Sequence, residues 1–247
     1  MPNFDSFDGL SLYYDDRGDG RAVVLLHGFA ADTNLNFVRS GILDMLVEAG
    51  YRTIALDTRG HGLSSRPTER EAYENDAVRR DVEALLDHLD INDCIVVGYS
   101  MGGQTALRFA ATNARVKALV LLGVGEGNGR TDDQIDQRNQ LIKALRADDP
   151  DDIELRSLRQ FRIMAGLDRE PLVALLSAEW ADTLGPARKI DVPVLLIIGH
   201  DDERAISPDG LLAELKDASA VRVPGNHFTA NAHPDLHRAL LEFLASH

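Results

Sequence analysis

Cys94-Ile95-Val96-Val97-Gly98-Tyr99-Ser100-Met101-Gly102-Gly103-Gln104-Thr105-Ala106-Leu107-Arg108-Phe109-Ala110-Ala111 joins an apolar run to a helix-forming run through a Gly-x-Ser-x-Gly turn. The first four residues are short, apolar and β-branched at three positions, which reads as a buried strand. The residues from Gly103 onward space Ala, Leu and Phe at helical intervals and read as a helix. A strand before the pentapeptide and a helix after it is what a nucleophile elbow requires: a tight, strained turn that lifts a serine hydroxyl clear of the sheet edge. Gly98 and Gly102 have a steric reason to be glycine, because side chains there would collide where strand and helix pack around the turn.

Outward from this turn the chain alternates strand and helix. Leu10 to Tyr14 alternates as a half-exposed strand, paired in a hairpin with a segment near Phe4 to Phe7. Ala22 to Leu26 is apolar throughout, as a strand covered on both faces should be. Ile42, Leu43, Leu46 and Val47 have helical spacing, stopped by Gly50. Arg52 to Leu56 is the next strand, and Ala77 to Leu89 carries Val78, Val82, Leu85, Leu86 and Leu89 on one helix face. Val116 to Leu122, Val194 to Ile198 and Ala220 to Val223 are further strands, and Leu236 to Leu244 is the closing helix. Parallel strands joined by helical crossovers imply an α/β sheet with helices on both faces.

From about Glu126 to Arg188 this rhythm stops. No convincing strand occurs there, only helical periodicity with a high density of Asp and Arg. The segment reads as a small helical cap inserted over the carboxyl edge of the sheet. Residues 1–125 and 189–247 are then the two parts of one core, with the cap over 126–188. No Gly/Ser/Pro-rich linker, low-complexity tract or repeat marks an independent unit.

Composition bounds the function. The 247 residues suffice for a sizeable core, and 44% hydrophobic with 27% charged residues is ordinary for a globular protein. A net charge of −14 without a basic stripe argues against nucleic acid as a partner and gives no long-range attraction for acidic membranes, though it does not rule out a local basic pocket. Cys94 is the only cysteine, so neither an intrachain disulfide nor a thiolate metal cluster can form. The first residues lack a basic stretch followed by an apolar core, and no apolar run approaches bilayer length. The expectation is a cytoplasmic protein acting on a small molecule, of undetermined oligomeric state.

Four motifs at the carboxyl ends of strands resemble the α/β-hydrolase superfamily. They are His27-Gly28-Phe29, Asp57-Thr58-Arg59-Gly60-His61-Gly62-Leu63-Ser64-Ser65, the serine turn itself, and Gly199-His200-Asp201-Asp202. The resemblance runs from about residue 10 to the end and is weakest in the cap. It implies an α/β-hydrolase fold: a mostly parallel eight-stranded sheet flanked by helices, with the cap inserted after the sixth strand.

That resemblance assigns roles. Ser100 is the nucleophile and needs a base, because a serine hydroxyl is weak at neutral pH. The triad order of the fold is serine, acid, histidine, which selects His227, between the last strand and the last helix, from eight histidines. A Gly-x-x-Asp pattern favours Asp202 as the acid and leaves Asp201 facing solvent, with Glu126 as a third option. The backbone N–H groups of Met101 and Phe29 are the expected oxyanion donors. Asp57 and Arg59 are expected to brace their loop, with Gly60 and Gly62 permitting its turns.

The implied mechanism is metal-free and cofactor-free: an acyl-enzyme on Ser100, released by water that His227 activates. Haloalkane dehalogenation would need Asp at position 100, and a phosphate-cradling loop would need Lys-Ser/Thr after the glycines. Small to medium, mostly neutral carboxylic esters lead as substrates. A carbon–carbon hydrolase of vinylogous diketones follows, because such relatives share Ser-Met-Gly-Gly and use a cap arginine and tryptophan, for which Arg162 and Trp180 are candidates. A thioesterase, lactonase or perhydrolase would carry the same triad. A non-catalytic receptor or a cofactor-free oxygenase of this fold stands as a different class. Phe161, Met164, Trp180 and Phe228 are the candidate pocket residues, with plain cap packing as the alternative.

Overall fold

The computed structural model describes residues 2–125, 132–146, 153–164, 166–178, 184–205 and 207–247. Eight strands form one sheet in the order β1-β2-β4-β3-β5-β6-β7-β8. Strands β1 (Asn3–Asp5) and β2 (Ser11–Arg17) form an antiparallel hairpin with Phe4 opposite Leu12, and β2 runs antiparallel to β4 (Arg52–Leu56). The remainder is parallel: β3 (Ala22–Leu26) lies between β4 and β5 (Cys94–Tyr99), followed by β6 (Val116–Leu122), β7 (Val194–Gly199) and β8 (Ala218–Val223).

The period-two alternation of the central strands explains why they are apolar at every position. Val24, Leu26, Val96 and Leu121 face one way and pack against Val82, Leu85 and Leu86 of α2 (Ala77–His88) and Ala106, Leu107 and Phe109 of α3 (Met101–Ala110). Val23, Leu25, Val97 and Val120 face the other way, onto Ile42, Leu43 and Leu46 of α1 (Ile42–Glu48) and Leu236, Leu240 and Leu244 of α9 (Pro234–Ser246). Two apolar layers thus clamp the sheet, and every central strand ends at the same edge.

Between β6 and β7 the described residues form α4 (Asp132–Arg146), α5 (Ile153–Met164), α6 (Arg169–Ser177) and the short α7 (Leu184–Ala187); α8 (Asp209–Glu214) lies beyond β7. Leu145 of α4 and Leu172, Val173 and Leu176 of α6 gather around Ala30, with Phe29 packed against the same group. The Arg138 guanidinium donates to the carbonyls of Leu176 and Ala178, fastening α4 to the end of α6. The loop after β3 is therefore roofed by these helices. Among the described residues no helix is long and apolar enough to cross a membrane.

Two short elements escape a periodicity reading: a helical turn over Asn34–Val38 and another over Arg70–Tyr73. Each spans little more than one turn, too few residues for a 3.6-residue pattern to declare itself.

Candidate active site

Ser100 sits between β5 and α3 with φ 51° and ψ −114°, a backbone state that costs a side-chain-bearing residue of order 1–3 kcal/mol. The surrounding glycines explain how the turn closes. A Cβ on Gly98 would lie 2.4 Å from the Gly102 carbonyl oxygen, and one on Gly102 would lie 2.0 Å from that of Leu26. Strand, turn and helix approach so closely that only hydrogen fits.

The serine hydroxyl oxygen lies 3.0 Å from His227 Nε2. On the far side of the ring, Nδ1 lies 2.9 Å from Asp202 Oδ2 and 3.0 Å from Oδ1. A carboxylate can only accept, so Nδ1 carries the proton and Nε2 is the acceptor for the Ser100 hydroxyl. The residues come from three strand ends: Ser100 after β5, Asp202 after β7 and His227 after β8. Asp202 and His227 are both buried, while Asp201 is exposed. Glu126 lies outside the described residues.

Burial works to raise the Asp202 carboxyl. The bond and charge of His227 and the amides of Ala205 and Arg204 outweigh it, and the group sits below its ordinary value. The two amides donate to Oδ1 at 3.0 Å each. The acid thus enters the site as a carboxylate that is already oriented.

Two backbone N–H groups, those of Met101 and Phe29, lie close to Ser100 in the chain or in space. The Met101 N–H opens α3, where no earlier carbonyl of the helix can accept it. Phe29 follows Gly28, whose added Cβ would lie 3.5 Å from Ser100 Cβ, so this loop runs beside the nucleophile. Neither N–H is engaged by another described residue.

The loop bearing Phe29 is held by buried polar groups. The Gly28 N–H donates to Asn36 Oδ1 at 2.8 Å. The Thr58 N–H donates to His27 Nε2 at 3.0 Å, which leaves His27 Nδ1 to donate to the Gly28 carbonyl at 2.8 Å. The Ala30 N–H donates to His61 Nε2 at 3.3 Å, so His61 Nδ1 donates to the Arg59 carbonyl at 3.1 Å. Burial first, and then the neighbouring His27, push His61 well below the usual imidazole range, in keeping with a neutral ring used as a bracket.

Asp57 and Arg59 do brace their loop. Asp57 accepts from the amides of Thr33 and Leu63 at 2.9 Å each. Arg59, fully buried, forms a fork with Asp81 at 2.6 and 2.7 Å and also reaches Asp8 at 2.8 Å.

A cleft of about 190 Å3 opens beside Ser100 and His227, its described lining including Phe29, Phe228, Asn36, Arg39 and Asn231. Met164, the candidate pocket residue of the inserted helices whose side chain is described, is not part of this lining. Met164 is 56% exposed at the end of α5, and Arg162 of the same helix donates to the Leu167 carbonyl at 2.6 Å. The Phe161 side chain and the whole of Trp180 lie outside the described residues. Among the described residues no group of three His, Cys, Asp or Glu side chains is gathered closely enough to hold a metal ion.

Three contributors were not singled out from the sequence. Asn36 fixes Gly28. Tyr99 donates its hydroxyl to the His227 carbonyl, and its ring lies 5.6 Å from the imidazole. At Gly123 (φ 60°) an added Cβ would meet His227 Cε1 at 3.2 Å and Asp202 Oδ2 at 3.3 Å. The positions next to the elbow and after β6 are the only local signals for the last two.

Comparison with known proteins agrees with this architecture. Residues 21–169, more than half of the chain, match the family model described as alpha/beta hydrolase fold. The structure is similar to an esterase from Exiguobacterium antarcticum (TM-score 0.80, 21% identity, 99% of this chain and 97% of that one). It is also similar to a bromoperoxidase from Bacillus anthracis (TM-score 0.76, 27% identity, 99% and 100%). Over 122 residues the sequence is 40% identical to the 2-hydroxy-6-oxononadienedioate/2-hydroxy-6-oxononatrienedioate hydrolase of Paraburkholderia xenovorans (strain LB400), covering 48% of this chain and 41% of that protein. In sequence and in fold alike, the chain belongs to the alpha/beta hydrolase fold family.

Proposed function

We propose that this chain hydrolyses small to medium carboxylic esters through an acyl-enzyme on Ser100. The observation that carries the reading is the unbroken hydrogen-bond chain from Ser100 through His227 to Asp202, set beside two unengaged backbone donors. His227 Nε2 takes the hydroxyl proton as the serine oxygen attacks the ester carbonyl. The N–H groups of Phe29 and Met101 receive the negative charge as the carbonyl oxygen becomes an oxyanion. Asp202 stabilises the imidazolium, which returns its proton to the departing alcohol. Water then repeats the sequence on the acyl-enzyme and releases the acid.

Hydrolysis of 4-nitrophenyl esters from acetate to decanoate by the native protein and Ser100→Ala tests this. Turnover that falls about 10⁴-fold or more in the variant supports the reading. Ligand-induced stabilisation without turnover on any acyl substrate would favour a receptor instead.

A second reading keeps the same residues and changes the bond. The likeness to the dienedioate hydrolase favours carbon–carbon cleavage of a vinylogous diketone. Against it, the Arg162 guanidinium is engaged with the Leu167 carbonyl rather than lining the cleft. Ser100-dependent cleavage of such a diketone with inert esters would decide for this alternative.

A further inference from the structure

The cleft beside Ser100 has a charge unlike the rest of the chain. The protein carries a net −14, yet among the described residues no Asp or Glu lines the cleft. Among the described lining residues Arg39 supplies a permanent cation, exposed to solvent at the end of the Asn34–Val38 turn. Several other guanidiniums are held by carboxylates, as in Arg52 with Asp16, Arg59 with Asp81 and Arg108 with Asp76. The Arg39 side chain has no hydrogen bond, ion pair or ring contact among the described residues.

Asn36 adds a second donor. Its Oδ1 is committed to the Gly28 N–H, and its backbone carbonyl accepts from Ser40 Oγ and from Asn231 Nδ2. The orientation of the Asn36 amide is therefore fixed, and its Nδ2 is left without a partner among the described residues in a side chain that lines the cleft. A guanidinium fork together with an amide N–H suits a planar anion with two acceptor oxygens. A neutral ester can accept a hydrogen bond from either group but offers no charge to pair with the guanidinium.

We infer that this cleft is a carboxylate subsite, so that the preferred substrates are esters bearing a second, ionised carboxyl group in the part that lies against Arg39 and Asn36. The inference rests on the ester-hydrolase reading and narrows it, replacing the mostly neutral esters that the overall charge suggests.

The test compares mono-(4-nitrophenyl) glutarate with 4-nitrophenyl 5-methylhexanoate, which places an isopropyl group where the carboxylate stands. A second pair, 4-acetoxybenzoate and 4-isopropylphenyl acetate, puts the charge on the leaving group. For one of the pairs, the anionic-to-neutral ratio of kcat/KM should fall about ten-fold from the native protein to Arg39→Gln, carried by KM. Arg39→Lys should keep part of the ratio, and 0.5 M salt should lower the native ratio because the charge is exposed. An equal ratio in native and Arg39→Gln proteins for both pairs, with Ser100-dependent cleavage intact, overturns the subsite and leaves the hydrolase standing. Should no ester be cleaved, the hydrolase reading fails separately. Glutarate binding to Ser100→Ala, read as a thermal shift, then decides the subsite: a shift lost in Ser100→Ala/Arg39→Gln sustains it, and no shift overturns it.

Discussion

His227 Nδ1 lies astride the Asp202 carboxylate, 2.9 Å from Oδ2 and 3.0 Å from Oδ1, but only Oδ1 also receives the amides of Arg204 and Ala205. The asymmetry determines what an amide would do in its place. In Asp202→Asn the side-chain oxygen stays with the two backbone N–H groups, and the NH2 takes the Oδ2 position. It then donates to Nδ1 and moves the ring proton to Nε2, where the base is lost. We expect kcat to fall about 10⁴-fold with the fold intact. Ester kinetics and the imidazole nitrogen shifts by NMR check this; full activity with Nε2 still an acceptor would refute it.

The strained backbone at Ser100 gives a stability prediction that is independent of chemistry. Glycine adopts φ 51° without penalty, so Ser100→Gly should release the strain, offset in part by the greater freedom of the unfolded chain. A net gain of about 1 kcal/mol corresponds to a rise of roughly 2–4 °C in Tm for a chain of this size. Calorimetry measures it, with activity abolished in the same protein. A lower Tm would show that the turn stores no strain.

Gly123 offers the converse case. Alanine there must occupy left-handed backbone, at about 1–2 kcal/mol, and its methyl presses on His227 and Asp202 from 3.2 and 3.3 Å. Gly123→Ala should lower kcat by about ten- to a hundred-fold through displacement of the pair, while substrate KM changes little. Unaltered kcat in a folded variant would mean that the pair yields without loss.

His61 predicts an acid limb of stability. Its folded-state pKa is depressed by burial, so below the ordinary value of 6.5 the unfolded chain binds a proton that the folded one does not. The contribution is complete above about pH 6.5 and is lost as pH falls from there toward the folded value, by up to about 1.4 kcal/mol per pH unit. Denaturant midpoints between pH 8 and pH 5 should show this decline. His61→Gln should be less stable at pH 8 and flatter across the range; an unchanged slope would assign the decline to other groups.

What the sequence makes legible follows from how local its causes are. The β5–Ser100–α3 unit is continuous, and its apolar run, glycines and helix formers lie within eighteen residues, so the strained turn can be read directly. The His227 and Asp202 positions follow from strand order together with the α/β-hydrolase resemblance. Asn36, Arg39 and Asn231 have no such support: they sit on single turns without periodicity, and the separation of 195 positions between Asn36 and Asn231 conceals their hydrogen bond. Of the expected pocket residues Phe228 lines the described cleft, which the turns after β3 and β8 wall, while Met164 faces solvent. Hydrophobic size in a helix cannot say which face the helix presents.

The apolar knot that ties Ala30 and Phe29 to Leu145, Leu172, Val173 and Leu176 bears on how this protein can be re-engineered. The residue expected to hold the oxyanion and the helices between β6 and β7 share one small core. Those helices are therefore not an exchangeable module. Grafting the corresponding segment of a relative would import new side chains against Phe29 and reset the loop beneath. Libraries that vary the inserted helices should include positions 29 and 30, so that selectivity and turnover are tuned as one trait.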